Sequence, residues 1–310
     1  MTRIGIVTTD PAFFTGADPE RDSAPLVAAL RERGVQADAV VWRGTAAGSA
    51  EDLTAFDLLV LRSPWDYALH PAEFDAWLER AETSTRVLNE PDLVRWNMDK
   101  RYLAQLEAAG IAVVPTAYCA DEASVRAALA EAADGSHVVL KPTVGAGSQH
   151  AGLHAADDPA ALELARTILA TGCEVMVQPE VPELSAGEEK AVYTLDGSFT
   201  HAIAKGALLA RGGGLRGGVY REAPQAVVAT DAERDFAERV LTAVTAATGL
   251  PTPLYGRIDL VDTAEHGLVL LEAELFEPTF NLHLAPEVVE LFTEAILARA
   301  RQGGPRLTAP

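Results

Sequence analysis

Short apolar runs alternate with helix-like segments over the first sixty residues. Runs at 3–8, 35–42 and 56–61 have the length and composition of buried strands, and residues 22–33 carry apolar side chains at helical spacing up to Gly34. Because strands that alternate with helices form βαβ units, the pattern predicts a mostly parallel sheet with helices packed on it. Ligands of such sheets bind beyond the carboxyl ends of the strands.

Two polar segments follow those strands, Thr8-Thr9-Asp10 and the Arg-Ser-Pro-Trp-Asp-Tyr segment at 62–67. The second combines an arginine, a carboxylate and two aromatic rings, which suits either a helix-capping turn with core aromatics or a pocket for a small molecule. In the pocket interpretation, Arg62 binds a carboxylate and Asp66 binds an amine. The residues that we predict as substrate contacts in these segments are Asp10, Arg62, Ser63, Asp66 and Tyr67.

The pattern changes after this region, and we place a domain boundary at about residue 95. Asn97 is predicted to cap a helix that ends at Gly110. Lys100 then lies in the first turn, near the positive end of the helix dipole, either as a solvated side chain or as a phosphate contact. The segments that follow are a predicted strand at 112–114 and a predicted helix at about 121–133.

An apolar run at 138–140 leads through Lys141 and Pro142 into a loop of small residues at 143–148. Glycines let backbone N–H groups approach phosphate oxygens closely, and a lysine at the end of a strand adds a fixed positive charge. The lysine precedes the glycines, unlike in a P-loop, and His150 stands where a dinucleotide fingerprint has its third glycine. The segment is therefore either a structural turn or a phosphate-binding loop.

Two prolines interrupt the chain after the apolar run at 175–178. Pro179 and Pro182 exclude a regular helix or a central strand between them, so we expect an irregular hinge. Such a hinge leaves backbone N–H and C=O groups free for the edge of a flat base.

A hairpin is predicted beyond the hinge, from runs at 191–195 and 199–204 that flank Asp196-Gly197, with Lys205 at its end. The glycine-rich segment from 206 to 218 follows it and carries Arg211 and Arg216. This composition suits either a mobile lid that closes over anions or a surface loop without fixed structure. Residues 231–248 then predict an amphipathic helix. Two further candidate substrate contacts are Arg216 and Asn281.

Two strand-like segments in the last third carry the densest charge pattern. Alternation places Arg257 and Asp259 on one face of the first segment, and Glu272 and Glu274 on one face of the second. Carboxylates that are brought together raise one another's pKa unless a cation lies between them. Magnesium prefers oxygen ligands and shares them with substrate phosphates. The apolar flanks favour a magnesium site over a solvated outer face.

Composition narrows the class of protein. The chain has 310 residues, 48% of them hydrophobic, and a formal net charge of −20. Its length predicts about two domains. The acidic balance argues against nucleic acid as a partner, but not against one nucleotide held by lysines and metal ions. Cys119 and Cys173 form no C-x-x-C pair, so we expect reduced thiols in a cytoplasmic protein. We expect neither a signal peptide nor a membrane span.

Other catalytic classes are disfavoured by the residue patterns. Gly5 lacks the glycine partners of a dehydrogenase fingerprint at the end of the first strand. His150 and His154 are four apart, but no H-E-x-x-H motif accompanies them, and we expect both in a loop. The sequence also shows no Ser-His-Asp or G-x-S-x-G arrangement.

Five motifs in order resemble the ATP-grasp superfamily of carboxylate ligases. They are Asn97-Met98-Asp99-Lys100, Lys141-Pro142 with Gly145-Ala146-Gly147-Ser148, the hinge at Gln178, Arg257-x-Asp259 and Glu272-x-Glu274. The resemblance implies an α/β (α+β) ATP-grasp fold. An N-terminal Rossmann-like domain with a parallel sheet (1–95) precedes two α+β subdomains that grip ATP (96–182 and 183–310), the second with the metal site. The whole chain is also similar to a smaller branch of this superfamily. That branch shares the Arg-Ser-Pro-Trp-Asp-Tyr segment at 62–67 and a Trp-Asn-x-Asp-Lys segment, here at 96–100.

Carried over position by position, the resemblance implies a set of ligands. The implied phosphate contacts are Lys100, Lys141, Gly145, Gly147 and Ser148, the implied adenine contacts are Gln178 and Val181, and the implied ribose contact is Glu188 or Glu189. The implied magnesium ligands are Asp259, Glu272 and Glu274, and the implied catalytic residues are Arg257, Lys141 and Lys205. Because Glu274 stands where many members have asparagine, we expect two magnesium ions.

The resemblance implies an ATP-dependent C–N ligase that activates a carboxylate as an acyl phosphate. The smaller branch implies cyclisation of O-ureido-D-serine to D-cycloserine in antibiotic biosynthesis, with release of ADP, phosphate, CO₂ and ammonia. The alternatives are a two-substrate carboxylate–amine ligase, of the glutathione-synthetase or dipeptide type, and a non-catalytic nucleotide-binding scaffold. The expected partner is a small amino-acid-like molecule, with no nucleic acid and no membrane, and a homo-oligomer is left open.

Overall fold

A computed structural model of the chain describes residues 2–14, 20–44, 52–132, 135–216 and 223–302. Within these ranges the strands form three sheets that follow one another along the chain. No helix in this part of the chain combines the length and apolarity that crossing a membrane requires.

The first sheet is parallel, as the alternating pattern predicts. Its strands are β1 (Arg3–Thr8), β2 (Gln36–Val41), β3 (Leu58–Ser63) and β4 (Arg86–Leu88), and its helices are α1 (Ser23–Glu32) and α2 (Pro71–Ser84). The spatial order is β2-β1-β3-β4. Gly5 lies within β1, where a Cβ would come within 2.5 Å of the Leu59 side chain, so only glycine lets the neighbouring side chains pack over this strand.

Two short helices, α3 (Pro91–Met98) and α4 (Tyr102–Ala108), connect the first sheet to the second. The prediction that Asn97 caps a single helix ending at Gly110 is wrong. Asn97 lies in the last turn of α3, where its buried amide donates to the Ala273 carbonyl at 2.8 Å and accepts the Leu275 N–H at 2.9 Å. Asn97 therefore pairs with backbone groups at residues 273 and 275, and not with the N–H groups at the start of a helix. Lys100 lies in the turn between the two helices.

The second sheet is antiparallel, in the order β5-β8-β6-β7. Its strands are β5 (Ala117–Cys119), β6 (His137–Pro142), β7 (Gly152–Ala155) and β8 (Val175–Pro179), and its helices are α5 (Glu122–Glu131) and α6 (Pro159–Ala170). The predicted strand at 112–114 is not formed, because only Val113 makes a bridge, to Leu270. His154 belongs to β7, which corrects its expected loop position.

The third sheet has the order β11-β10-β9-β12-β13, and its paired strands are antiparallel. Its strands are β9 (Lys190–Leu195), β10 (Ser198–Ala204), β11 (Gln225–Val227), β12 (Tyr255–Thr263) and β13 (Gly267–Glu274), and the helices of this part are α7 (Pro182–Ala186), α8 (Asp231–Thr248) and α9 (Val288–Gln302). The predicted hairpin and the helix α8 are confirmed. The hairpin turns at Asp196 (φ 48°) and Gly197 (φ 81°), the positive angles that a tight two-residue turn requires.

Each sheet lies within one of the predicted units 1–95, 96–182 and 183–310, and we keep this division as a proposal. The boundaries themselves fall inside α3 and at the start of α7. Helix α9 returns to the first unit, because its Phe292 and Ile296 are buried in one core with Ile4 and Leu26.

A buried amide fastens the first sheet to the third. Asn89 follows β4 and is completely buried. Its Nδ2 donates to the carbonyl groups of Tyr255, at 2.9 Å, and Leu275, and its Oδ1 accepts the Leu254 N–H at 2.6 Å. These bonds hold the start of β12 and the end of β13 against the carboxyl edge of the first sheet.

We expect Asn89→Ala to lower the free energy of unfolding by at least about 3 kcal/mol, because each buried backbone group left unpaired costs about 1–3 kcal/mol. Urea-induced unfolding followed by tryptophan fluorescence measures the change. Gln36→Ala removes an exposed amide from β2 and serves as the control, with an expected change within about 0.5 kcal/mol. An Asn89→Ala protein as stable as wild type would contradict the fastening role.

Candidate active site

A cavity of about 810 Å³ lies where the three sheets converge. Its walls are the end of β6 with the loop that follows it (141–148), the hinge around Gln178, and one face of β12 and β13. Trp65 and the segment 277–283 bound it on the side of the first sheet. Motifs that are far apart in the sequence therefore meet around one space.

Antiparallel pairing of β12 with β13 places four charged side chains on one wall. The register pairs Arg257 with Glu274 and Asp259 with Glu272. Arg257 Nε and Nη2 each donate to Asp259 at 2.8 Å, and the guanidinium also contacts Glu274. Lys205, just after β10, approaches Asp259 with an Nζ–Oδ2 distance of 2.9 Å. The arginine and the three carboxylates of the sequence pattern are thus together.

Two more lysines reach the same wall from other elements. Lys100 Nζ lies 3.2 Å from Glu272 Oε1 and donates to the Gly145 carbonyl at 2.6 Å. Lys141, in β6, also lines the cavity, and burial lowers its pKa although the nearby Glu272 opposes that effect. Three ammonium groups and one guanidinium therefore face the carboxylates of β12 and β13.

The same neighbours set the protonation of the carboxylates. Burial disfavours charge on Asp259 and Glu272, but the surrounding cations outweigh it and hold the pKa of both below the usual value. Burial raises the pKa of Glu274 to about 7, because the Arg257 charge compensates it only in part. Two of the three carboxylates are therefore anionic at neutral pH, and the third titrates there.

The oxygen atoms of Asp259, Glu272 and Glu274 are the donor type that magnesium prefers, so the chemistry of this set fits the ion. Within the described residues, however, no three acidic, histidine or cysteine side chains are grouped so as to hold a metal ion. Each of these carboxylates instead pairs with a cation: Asp259 and Glu274 with Arg257, and Glu272 with Lys100. A metal ion has to displace these contacts.

The end of β8 and the hinge that follows it form another wall. Gln178 and Val181 line the cavity there, and apolar Leu184 lies beside them. Glu189 also lines it, and its carboxylate lies 2.9 Å from Lys205 Nζ. Glu188 is exposed and is not among the described residues that line the cavity. This wall therefore offers an apolar surface with two carboxylates, those of Glu180 and Glu189.

The small-residue loop after β6 lines the cavity through Gly145, Gly147 and Ser148. Gly147 and Ser148 both have left-handed backbone conformations, with φ of 59° and 53°. Glycine takes up such a conformation without strain, which explains its use in this loop.

The glycine-rich segment is described only as far as residue 216, and the predicted lid residues 217 and 218 lie outside the described part. The N–H groups of Gly212 and Gly213 donate to the Leu153 carbonyl in β7 at 2.8 and 3.2 Å. Leu208 and Leu209, earlier in the segment, line the cavity. The segment thus lies against the second sheet and over the cavity.

Arg62 does not line the cavity, so the expectation that it binds a substrate carboxylate is wrong. The residue is 1% exposed. Its guanidinium lies over the rings of Tyr255, Phe280 and Phe292 at 4.6 to 5.2 Å, and Nη2 donates to the Pro278 carbonyl at 2.9 Å. Arg62 therefore holds the segment after β13 against the first sheet.

Asp66 is also structural, which corrects its expected role as an amine ligand. It is buried and accepts hydrogen bonds from Thr9 Oγ1 and Trp42 Nε1, both at 2.5 Å. The other residues expected in this pocket that are not among the described lining residues are Asp10, Ser63 and Tyr67. The pattern at 62–67 thus marks a packed turn at the edge of the first sheet.

The last two expected substrate contacts have different positions. Arg216 is not among the described lining residues, and its guanidinium donates to the carbonyl groups of Leu209 and Ser185 at 2.9 and 3.1 Å. Asn281 does line the cavity, and its Nδ2 donates to the Tyr193 hydroxyl at 3.0 Å. Only Asn281 therefore remains a candidate among the seven.

The sequence patterns missed several cavity residues, namely Phe13, Arg21, Trp65, Glu277, Thr279 and His283. Phe13 and Arg21 lie in the connection after β1, which the parallel-sheet rule indicates as a ligand-binding edge without singling out a residue. The residues after Glu274 could have been predicted from their position in the chain. A segment that continues from the charged strand β13 has to pass beside the cavity.

Comparison with known proteins agrees with this architecture. Residues 4–89 match the family of the N-terminal domain of D-cycloserine synthetase DcsG. The chain is 36% identical over 288 residues to the cycloserine biosynthesis protein DcsG of Streptomyces lavendulae. This alignment covers 90% of this chain and 94% of that protein.

Solved structures extend the comparison to the fold. The crystal structure of D-cycloserine synthetase DcsG superposes with a TM-score of 0.86 at 33% identity, and the match covers 96% of this chain and 99% of that one. D-alanyl-alanine synthetase A of Vibrio cholerae (TM-score 0.67, 14% identity, 97% and 98% covered) and the ATP-grasp ligase PsnB (TM-score 0.60, 19% identity, 96% and 99% covered) share the fold. The predicted ATP-grasp fold is confirmed, and the chain belongs to the D-cycloserine synthetase family of ATP-grasp ligases.

Proposed function

We propose that this chain uses ATP to cyclise O-ureido-D-serine to D-cycloserine, with release of ADP, phosphate, CO₂ and ammonia. The observation that carries the proposal is the convergence of Lys100, Lys141 and Lys205 with the carboxylates of Asp259 and Glu272 on one cavity. Such a set can neutralise a triphosphate and hold its metal ion. Kinship with proteins named for cycloserine synthesis supports the substrate.

ATP is proposed to lie with its phosphates at Lys100 and Lys141, under the loop that contains Gly145, Gly147 and Ser148. The lining positions of these residues support the assignment, because backbone N–H groups and ammonium groups both neutralise phosphate oxygens.

The base is proposed to bind along the hinge at Gln178 and Val181. The apolar lining beside these residues, which includes Leu184, supports this placement. Glu189 is the better ribose ligand of the two candidates, since it lines the cavity whereas Glu188 is exposed.

Magnesium is assigned to Asp259, Glu272 and Glu274, and its chemistry would be to screen the negative charge of the phosphates. The contacts that now engage these carboxylates would pass to the nucleotide: Lys100 and Arg257 would turn from Glu272 and Glu274 to phosphate oxygens. The presence of two ions, a cytoplasmic location and a homo-oligomer stay predictions.

The first chemical step is attack of the substrate carboxylate on the γ-phosphorus, which forms an acyl phosphate and releases ADP. Lys141, Lys205 and Arg257 stabilise the charge on the transferring phosphoryl group, and catalysis is mainly positioning and neutralisation. Activation is needed because a free carboxylate repels nucleophiles and has no good leaving group.

Ring closure follows within the same molecule. The nitrogen that carries the carbamoyl group attacks the acyl carbonyl, expels phosphate and closes a five-membered ring, and hydrolysis of the carbamoyl group yields CO₂ and ammonia. Intramolecular attack gains effective concentration without a second substrate site. The glycine-rich segment over the cavity supports exclusion of water, which would otherwise hydrolyse the acyl phosphate.

We expect Lys141→Ala and Glu272→Ala each to slow substrate-dependent ADP formation by about 10²–10³-fold, the usual effect of removing one preorganised charge-stabilising group. A coupled ADP assay measures the rate. Lys190→Ala is the matched control, because Lys190 pairs with Glu233 at 2.7 Å and is not among the described cavity residues. Near-normal turnover by either cavity variant would remove the assigned site.

We also expect O-ureido-D-serine alone to support ADP formation, with one D-cycloserine and one ammonia per ADP and no stimulation by added amines. Product analysis by mass spectrometry together with the ADP assay tests this. ADP formation only after addition of a separate amine would identify a two-substrate ligase. ATP binding without any ADP release would identify a non-catalytic scaffold.

A further inference from the structure

Glu277 is a buried carboxylate in the cavity to which the steps above give no role. It lies three residues beyond Glu274 and is 8% exposed. The Trp65 indole N–H donates to its backbone carbonyl at 2.7 Å, and the Tyr67 hydroxyl interacts with its carboxyl group. Its Oε2 is buried and has no hydrogen-bond partner among the described residues. Oε2 is thus a buried acceptor that a ligand in the cavity can use.

Glu277 also differs from the other carboxylates of the cavity in its charge environment. Each of those has a cationic partner within 4 Å: Arg211 for Glu180, Lys205 for Glu189 and Asp259, Lys100 for Glu272, and Arg257 for Glu274. In the described part of the chain, Glu277 has no such ion pair. A buried carboxylate without a partner is costly, and a cationic ligand group offsets that cost.

The position of Glu277 suits one group of an amino-acid substrate. In the proposed reaction the substrate carboxylate lies beside Arg257, which contacts Glu274 on the same wall. The α-nitrogen of an amino acid is only two bonds from its carboxylate carbon, so the α-ammonium group has to lie near the end of β13. Glu277 lies in the segment that follows this strand and lines the cavity there.

We propose that Glu277 binds the α-ammonium group of the substrate, and that the cavity therefore selects acids with a free α-amino group over their desamino counterparts. This inference rests on the proposed function for the orientation of the substrate. Tyr67 is then a positioning residue, because it holds the Glu277 carboxyl group without lining the cavity itself. This gives the buried tyrosine of the 62–67 segment an indirect role in recognition.

The test is a comparison of binding by calorimetry, in the presence of magnesium and a non-hydrolysable ATP analogue. The two ligands are O-ureido-D-serine and 3-(carbamoylaminooxy)propanoic acid, which differ only in the α-amino group. Wild type should bind the amino-bearing acid at least about 100-fold more tightly, the usual effect of one buried charge pair. Glu277→Gln, which keeps the shape and the bond to Tyr67, should reduce this preference below tenfold by weakening only the amino-bearing acid.

Two further variants make the result specific. Glu180→Gln removes another cavity carboxylate, one that pairs with Arg211, and should keep the wild-type preference. Tyr67→Phe keeps the Glu277 carboxyl group and removes only the hydroxyl beside it, so its expected loss for the amino-bearing acid is at most about tenfold. Tyr67→Phe also tests the proposal if Glu277→Gln fails to fold, because the loss must again fall on the amino-bearing acid alone.

Several outcomes would overturn the proposal. Equal binding of the two acids by wild type, binding of neither, or an unchanged preference in Glu277→Gln would each do so. A Glu277→Gln protein that binds both acids equally poorly and needs more magnesium would place Glu277 with the metal ion instead. A preference for the amino-bearing acid without ADP formation from ATP would uphold the ammonium site while contradicting the proposed function.

Discussion

Mutual neutralisation of buried charges is the interaction on which the cavity depends. Arg257 and Lys205 face Asp259, and Lys100 faces Glu272, and all of these side chains except the partly exposed Glu272 are buried. Removing one member of such a set leaves its partner as a buried uncompensated charge, at a cost of about 3–5 kcal/mol. A magnesium nucleotide carries both signs of charge, so it can exchange partners with the protein pair by pair. In the proposed function, the contacts that stabilise the cavity are therefore those that the nucleotide would take over.

The first unit contributes to the cavity mainly by holding another segment in place. Asp22 accepts the N–H groups of Phe280 and Leu282 at 2.5 and 2.9 Å, and Arg62 binds the carbonyl of Pro278. These buried contacts fix the chain after β13, which supplies cavity residues that no motif marks. In the sequence, Arg62 with its neighbouring aromatic residues resembles a ligand pocket. In the structure its guanidinium instead binds a backbone carbonyl group of the protein, that of Pro278.

Local and periodic features could be predicted from the sequence. The parallel first sheet, the hairpin at Asp196-Gly197, the helix α8 and the charged wall of β12 and β13 depend on alternation, turn chemistry and capping, which neighbouring residues determine. Two of the wrong predictions, those for Asn97 and Asp66, depend on distant partners. Asn97 bonds Ala273 and Leu275, and Asp66 bonds Thr9 and Trp42. The partners lie too far apart in the sequence to be recognised from neighbouring residues. The local preferences of Asn for helix starts and of Asp for binding amines therefore led to incorrect predictions.

The bridge between Leu153 and Gly213 ties the glycine-rich segment to β7, although the segment enters from β10 in the neighbouring sheet. Near its other end, Lys205 is anchored to Asp259. The segment between Lys205 and Gly213 is thus attached to both the second and the third sheet, on either side of the cavity. A movement of the second sheet away from the third would have to straighten this segment or break the bridge between Leu153 and Gly213. Widening the cavity and displacing the segment that lies over it are therefore coupled.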